Sequence, residues 1–306
     1  MYRRIVVALD GSGLAEQVLP YVRSLGRGLE AKVLLLRVLD PLPAGLTDPG
    51  HGISRDKVIA NMRAGAEDYL EQVAASLRKQ RLTVSCSVGE GAPAELIVKE
   101  SSKEAATLIA MSTHGRSGAA RWLLGSVATK VLHATANPLL LVRSRAPTSF
   151  TEEARLGTLI IPLDGSTLAE QALLPAGALA KALNLKTILV RVTPSPEEYY
   201  RFAEPGYFPP ADLPEAVDAD ANRYLGSLSQ KLRKKRFPAV EERLLHGDAA
   251  AAIIDLSRQV ADSLVVMTSH GRSGVGRWLL GSVADRVVSH ATGPVLVIRA
   301  EEKRSP

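Results

Sequence analysis

The segment from Ser112 to Val127, STHGRSGAARWLLGSV, returns almost unchanged from Thr268 to Val283 as TSHGRSGVGRWLLGSV. No other feature restricts the fold as much. A repeat separated by about half of the 306 residues implies two copies of one unit, which we place at 1–146 and 147–306. In each copy the segment follows a short apolar run ending in methionine, Thr107 to Met111 and Ser263 to Met267, and leads into a helical pattern. Its glycines therefore fall where a strand hands over to a helix, the place where α/β folds bind phosphate.

Around this anchor the first half alternates β-branched runs with helical periodicity. Strands are expected at Arg4 to Leu9, Lys32 to Val38, Thr83 to Val88, Thr107 to Met111 and Leu139 to Arg143. Helices are expected at Leu14 to Leu29, Ser54 to Lys79, Ala92 to Glu104 and Gly125 to Ala134. In the long second helix Val58, Met62, Tyr69, Val73 and Leu77 mark the apolar stripe. Near-continuous apolar strands separated by helices predict a parallel sheet covered on both faces with right-handed crossovers. The expected fold class is α/β: two tandem doubly wound domains, each a five-stranded sheet. Ser144 to Gly157 is the linker, and the order repeats from Thr158 to Arg299 at an offset of 154 early (Asp10 with Asp164) and 156 later (Gly115 with Gly271). One connection differs between the halves. Asp40 to Gly52 is replaced by Thr193 to Pro214, which holds Tyr199, Tyr200, Phe202, Tyr207 and Phe208 and puts Thr193 opposite Asp40. In a chain with only 4% aromatic residues, that loop reads either as a lid over a ligand or as packing on the other domain.

Composition removes several classes. Apolar residues make up 46% and charged residues 23%, as in ordinary globular proteins. No apolar run approaches the ~18–20 residues that cross a bilayer, and Met1 to Arg4 leads into too short an apolar stretch for a signal peptide. A cytoplasmic location without membrane contact is expected. The single cysteine, Cys86, has no partner for an internal disulfide or a metal site and is expected in the core of a strand. A net charge of +6 is compatible with anionic ligands, but the densest basic run, Lys231 to Arg236, reads as a solvated helix end rather than a nucleic-acid surface.

The repeated segment has the chemistry of a polyphosphate cradle. Gly115 and Gly118 permit a sharp turn and let backbone N–H groups approach a ligand. Ser117 adds a hydroxyl, and Arg116 and Arg121 add permanent cations. Gly125 and Ser126 begin a helix, where free N–H groups and the dipole favour an anion. Ser126 either caps that helix or binds phosphate. The second half repeats the set with Gly271, Arg272, Ser273, Gly274, Gly281 and Ser282. Trp122 to Leu124 and Trp278 to Leu280 read as hydrophobic plugs. A second element, Asp10-Gly11-Ser12 and Asp164-Gly165-Ser166, ends the first strand of each half next to the switch point. Its carboxylate suits an adenine amino group, a ribose hydroxyl or a metal ion, and equally a helix cap or turn. No G-x4-G-K-[ST] loop occurs. Gly11-Ser12-Gly13 does not extend into a dinucleotide fingerprint, because position 16 is glutamate. His114 and His270 lack acid, nucleophile or metal-ligand companions, which favours a structural role.

At these residues the chain resembles a tandem member of the universal stress protein family, whose nucleotide-binding members carry G-x2-G-x9-G-[ST] after the fourth strand. Gly115 to Ser126 and Gly271 to Ser282 match its later part; the first glycine is replaced by Ser112 and Thr268, whose hydroxyls either substitute for it or crowd the site. The resemblance spans essentially all of both halves. It implies that Asp10 and Asp164 contact adenine or ribose, that Val38 and Val192 place backbone groups near adenine, and that Met111, Met267, Val127 and Val283 line the pocket. It also implies that Leu139 to Arg143 and Val295 to Arg299 pair the halves into an internal pseudo-dimer, shielding two sheet edges. The expected ligand is ATP, with Mg2+ as its counter-ion, and ADP or AMP as alternatives. The expected role is a nucleotide-dependent stress response with little or no turnover and no catalytic residue. A nucleotide-independent interaction or chaperone-like module, a slow ATPase, a homodimer and an unidentified protein partner stand beside it.

Overall fold

The strands form where aliphatic residues run without interruption, because both faces of each sheet are covered. Ile5, Val6, Val7, Leu108, Ile109 and Ala110 have no exposed surface, and neither do Leu159, Ile160, Ile161 and Leu264. The structure, a computed structural model, describes residues 2–41, 55–113, 124–143, 154–201 (of 199–201 the backbone only), 210, 212–271 and 280–300. The chain divides into two compact units, Met1–Ala154 and Arg155–Pro306.

In the first unit β1 (Arg4–Ala8), β2 (Lys32–Leu39), β3 (Val84–Glu90), β4 (Thr107–Ser112) and β5 (Leu139–Val142) lie in the order β3-β2-β1-β4-β5. Every pairing within it is parallel. The second unit repeats this with β6 (Thr158–Pro162), β7 (Lys186–Thr193), β8 (Ala239–His246), β9 (Ser263–Thr268) and β10 (Val295–Ile298) in the order β8-β7-β6-β9-β10. Its pairings are parallel too. The first-to-fourth strand neighbours, β1 with β4 and β6 with β9, create the switch point at the carboxyl ends of the strands.

The helix expected over 14–29 is broken. A 3-10 turn covers Ala15–Val18, and α1 then runs Leu19–Leu29 with Pro20 near its start. Pro20 has no N–H to give to the Glu16 carbonyl, so an unbroken α-helix across it would lose a rung. The second unit makes the same break, with α5 (Thr167–Glu170) followed by α6 (Leu173–Leu183). Helix α2 (Arg55–Arg78) buries Ala66, Leu70, Ala74 and Leu77. Of the expected stripe only Leu77 is buried; Tyr69 and Val73 are half-buried and Met62 is exposed. Helices α3 (Pro93–Ser101) and α4 (Ser126–Ala134) complete the first unit. The second adds α7 (Pro196–Arg201), α8 (Leu213–Lys234), α9 (Ala249–Gln259) and α10 (Ser282–His290). The basic run Lys231 to Arg236 does fall at the end of a helix, α8.

Two further expectations are corrected. Cys86 is half-exposed on β3, beside Glu71, because β3 is the last strand of its order and has a single strand neighbour. Thr193 does not correspond to Asp40: it pairs with His246 as Leu39 pairs with Glu90, so Thr193 takes the place of Leu39.

Candidate functional site

The second unit gives the fuller view. Strand β6 runs out at Pro162, and after Leu163 the chain turns through Asp164, Gly165 and Ser166. Gly165 holds φ at +86°, in the left-handed region that glycine enters without penalty. Asp164 Oδ1 accepts hydrogen bonds from the Ser166 N–H at 2.9 Å and the Ser166 hydroxyl at 2.6 Å. Ser166 Oγ in turn accepts from the Ala169 N–H at 3.1 Å and caps α5. The first unit repeats this closely. Gly11 has φ +86°, Asp10 Oδ1 accepts from the Ser12 N–H and hydroxyl at 2.9 and 2.7 Å, and Ser12 Oγ accepts from the Ala15 N–H at 3.2 Å. The turn role of these aspartates is therefore realised through one carboxylate oxygen. The other oxygen faces elsewhere: a Cβ built on Gly271 would lie 2.1 Å from Asp164 Oδ2, so this carboxylate rests on the bare backbone of the motif glycine.

The repeated segment is closed at its base. After β9, the Ser269 N–H donates to the Ile298 carbonyl on β10 at 2.8 Å, and the Gly281 N–H returns to donate to the Ser269 carbonyl at 2.8 Å. A Cβ on Gly281 would approach the Ser269 carbonyl oxygen to 3.3 Å, which explains a glycine at the closing point. In the first unit Thr113 donates to Val142, and Gly125 to Thr113, both at 2.8 Å. The excursion between Ser269 and Gly281 is thus closed at its base by one backbone hydrogen bond. Gly125 and Gly281 are the N-caps, and Ser126 and Ser282 the first residues of α4 and α10, with no side-chain cap. Of the two roles open to Ser126, capping is not used.

A cavity of about 270 Å3 lies at this point of the second unit. Asp164, Val192, Met267, Thr268, Gly271, Gly281, Ser282 and Val283 all line it, which brings together every expected second-half site residue that is described. Arg272, Ser273 and Gly274, like Gly115, Arg116, Ser117 and Gly118, lie outside the described residues, as do His114 and, of the aromatic loop, Phe202, Tyr207 and Phe208. Asp10, Val38, Met111, Ser112, Gly125, Ser126 and Val127 occupy equivalent positions in the first unit, at the ends of β1, β2 and β4 and the start of α4. The hydroxyls at the first-glycine position are both engaged by backbone: Ser112 donates to the Val142 carbonyl at 3.2 Å, and Thr268 to the His270 carbonyl at 2.7 Å. His270 Nδ1 lies 3.1 Å from Ser269 Oγ, and His270 is itself among the residues lining the cavity.

Two groups of residues escaped the sequence reading. Ala249 and Ile253 of α9 line the cavity but carry no signal that separates them from core. The other group is a cluster behind each aspartate turn. Arg37 lies over the Tyr69 ring at 5.2 Å, and Tyr69 donates to Glu16 at 3.0 Å. Arg191 lies over Tyr224 at 5.1 Å, and Tyr224 donates to Glu170 at 3.1 Å. Aligning the two halves would have exposed these as identical residues. Burial, followed by the nearby carboxylates, pushes both phenols above the usual tyrosine range.

A parallel α/β unit with a glycine-closed excursion after its fourth strand, present twice, defines a tandem protein of the doubly wound class. The description of the Universal stress protein family matches residues 1–143 and 156–299, and the chain belongs to that family. It is 26% identical over 304 residues to a universal stress protein of Mycolicibacterium smegmatis, covering 96% of each chain. A Methanocaldococcus jannaschii universal stress protein is 30% identical over 144 residues, which cover 47% of this chain and 83% of that one. Among solved structures, one from Archaeoglobus fulgidus has a TM-score of 0.68 at 19% identity, covering 98% of this chain and 97% of that one. This last likeness concerns the fold. No helix among the described residues is long and apolar enough to cross a membrane.

Proposed function

We propose that the chain binds an adenine nucleotide, ATP foremost, at a site in each half, and acts through nucleotide-dependent conformation or partner binding with little or no turnover. The supporting observation is the second-unit cavity, where eight residues chosen for nucleotide chemistry line one space. At about 270 Å3 it lies near the ~300 Å3 lower end of small-molecule sites. Its apolar wall of Val192, Met267 and Val283 suits a base, the Asp164 carboxylate suits a ribose hydroxyl or amino group, and the N–H groups opening α10 suit phosphate. Mg2+ would accompany the triphosphate as counter-ion. Isothermal titration with Mg-ATP, ADP and AMP tests the reading. Arg116→Ala and Arg272→Ala are expected to weaken binding, whereas unchanged affinity after Gly125→Leu and Gly281→Leu would sink the proposal.

One observation favours the second reading, a nucleotide-independent interaction module: the Ser112 and Thr268 hydroxyls are tied to backbone carbonyls where the family pattern has a glycine. Absence of nucleotide in native mass spectra, with no thermal shift on adding ATP, selects that reading. Phosphate release above the Gly125→Leu/Gly281→Leu background selects slow ATP hydrolysis. The proposal includes a cytoplasmic location and strand-to-strand joining of the halves. β5 and β10, each the last strand of its own unit's order, are the elements it uses, and a cysteine pair placed in them tests it by crosslinking.

A further inference from the structure

Arg37 and Val38 are consecutive on β2, and Arg191 and Val192 on β7, so each pair points to opposite faces of its sheet. Val192 and Val190 line the cavity; Arg191, between them, stands on the other face. In the first unit, Cζ, Nη1 and Nη2 of the Arg37 guanidinium all lie 3.2 Å from a Cβ built on Gly11. The flat group therefore underlies the left-handed residue that follows Asp10. The same guanidinium lies over the Tyr69 ring, 5.2 Å from its centroid. Tyr69 donates to Glu16, and Glu16 stands in the 3-10 turn that Ser12 opens. The contacts close a ring: aspartate turn, helix start, tyrosine, arginine, and back to the turn. The second unit has the same arginine, tyrosine and glutamate in place, and Asp220 adds a carboxylate 3.8 Å from the buried Arg191.

We propose that Arg37 with Tyr69, and Arg191 with Tyr224, are positioning residues for nucleotide binding: they brace the Asp10 and Asp164 turns from the face opposite the ligand. The inference rests on the nucleotide reading of the site. Asp10 fixes one oxygen on Ser12, so the direction of its other oxygen follows the pitch of the Gly11 turn. A planar guanidinium held against an aromatic face supports that turn more rigidly than a flexible ammonium does. The electrostatics place the groups together: Tyr69 feels burial first, then Glu16 and Asp10, against Arg37, and Tyr224 feels burial, then Glu170, Arg191 and Asp164.

The experiment is ATP titration of the full chain at 25 °C, with the thermal midpoint measured in parallel. The paired variants are Arg37→Met/Arg191→Met, Arg37→Lys/Arg191→Lys and Tyr69→Phe/Tyr224→Phe, each alone and combined with Asp10→Asn/Asp164→Asn. The methionine pair should weaken binding about tenfold, the lysine pair should recover only part of this, and the phenylalanine pair should weaken it about threefold. In the asparagine background the same changes should cost almost nothing further, because they act through the aspartates; a merely structural role would lower the thermal midpoint and add its full effect there. If the methionine pair does not fold, the near-isosteric phenylalanine pair decides. Variants that bind as tightly as the unaltered chain, or losses that add in the asparagine background, overturn this inference alone. No binding by the unaltered chain overturns the nucleotide reading and this inference with it.

Discussion

Gly271 is where residue chemistry is tightest. Its Cα carries no side chain because Asp164 Oδ2 already fills that space. Gly271→Ala should push the carboxylate aside at about 1–3 kcal/mol, the usual cost of overpacking, and weaken nucleotide binding in the second half more than it lowers the thermal midpoint. Gly11→Ala fails for another reason: φ of +86° is unfavourable for an L residue by roughly 1–2 kcal/mol. These glycines were legible in the sequence because a turn at Gly11 needs a left-handed φ and a close approach at Gly271 leaves no room for a side chain. Ala249 and Ile253 were not, since an apolar side chain facing a cavity is chosen by the same forces as one facing the core. Arg37 and Tyr69 are intermediate: singly, one reads as a charge within a strand and the other as part of the apolar stripe of α2, and only their recurrence at Arg191 and Tyr224 marks them.

At the scale of elements, the tie between β1 and α3 shows how the halves diverge. Arg4 is buried, donating to the Glu100 carbonyl at 2.9 Å and its carboxylate at 2.7 Å; the equivalent pair in the second unit is Thr158 and Leu256. Burial works to raise the Glu100 carboxyl, but hydrogen bonds from Lys103 and Arg4 prevail and hold it below its usual range. A depressed carboxylate contributes stability that is full above its unfolded pKa, about 4.3, and lost as pH falls through the folded value. The stability gap between the unaltered chain and Glu100→Gln should therefore be open at pH 7 and close below about pH 4 in urea titrations. A gap that stayed constant with pH would remove the ion pair from the explanation. Helix α2 teaches a different lesson. Its period was readable from the sequence but its rotation was not, because Ala66 and Ala74 do the close packing and alanine is a weak apolar signal. Leu70→Ala should cost about 2–5 kcal/mol, whereas Met62→Ala, at the exposed position, should cost little.

For the whole molecule, the fold class was legible because strand, helix and turn chemistry agreed in both halves; the differences between halves lie in loops and ion pairs that no local pattern reports. Arg63 bonds Glu90 at 2.6 Å in the first unit, and at the equivalent positions of the second Asp218 meets His246 at 2.7 Å, with Thr193 donating to the same aspartate at 2.8 Å. The polarity is reversed: in the second unit the helix carries the carboxylate and the strand the nitrogen partner, an imidazole in place of a guanidinium. Because the surroundings of the two sites differ in this way, ATP titration should resolve two unequal affinities, and a fit to identical independent sites would count against it.

The hydrogen bonds that close the excursion, Gly125 to Thr113 and Gly281 to Ser269, also bear on how such a protein can change over generations. Departure and return at one backbone hydrogen bond leave the sheet register independent of what lies between, so the near-identity of 114–124 and 270–280 is not imposed by the sheet. Transplanting 270–280 in place of 114–124 changes only Ala119→Val and Ala120→Gly, so it should leave both the thermal midpoint and the first site's affinity nearly unmoved.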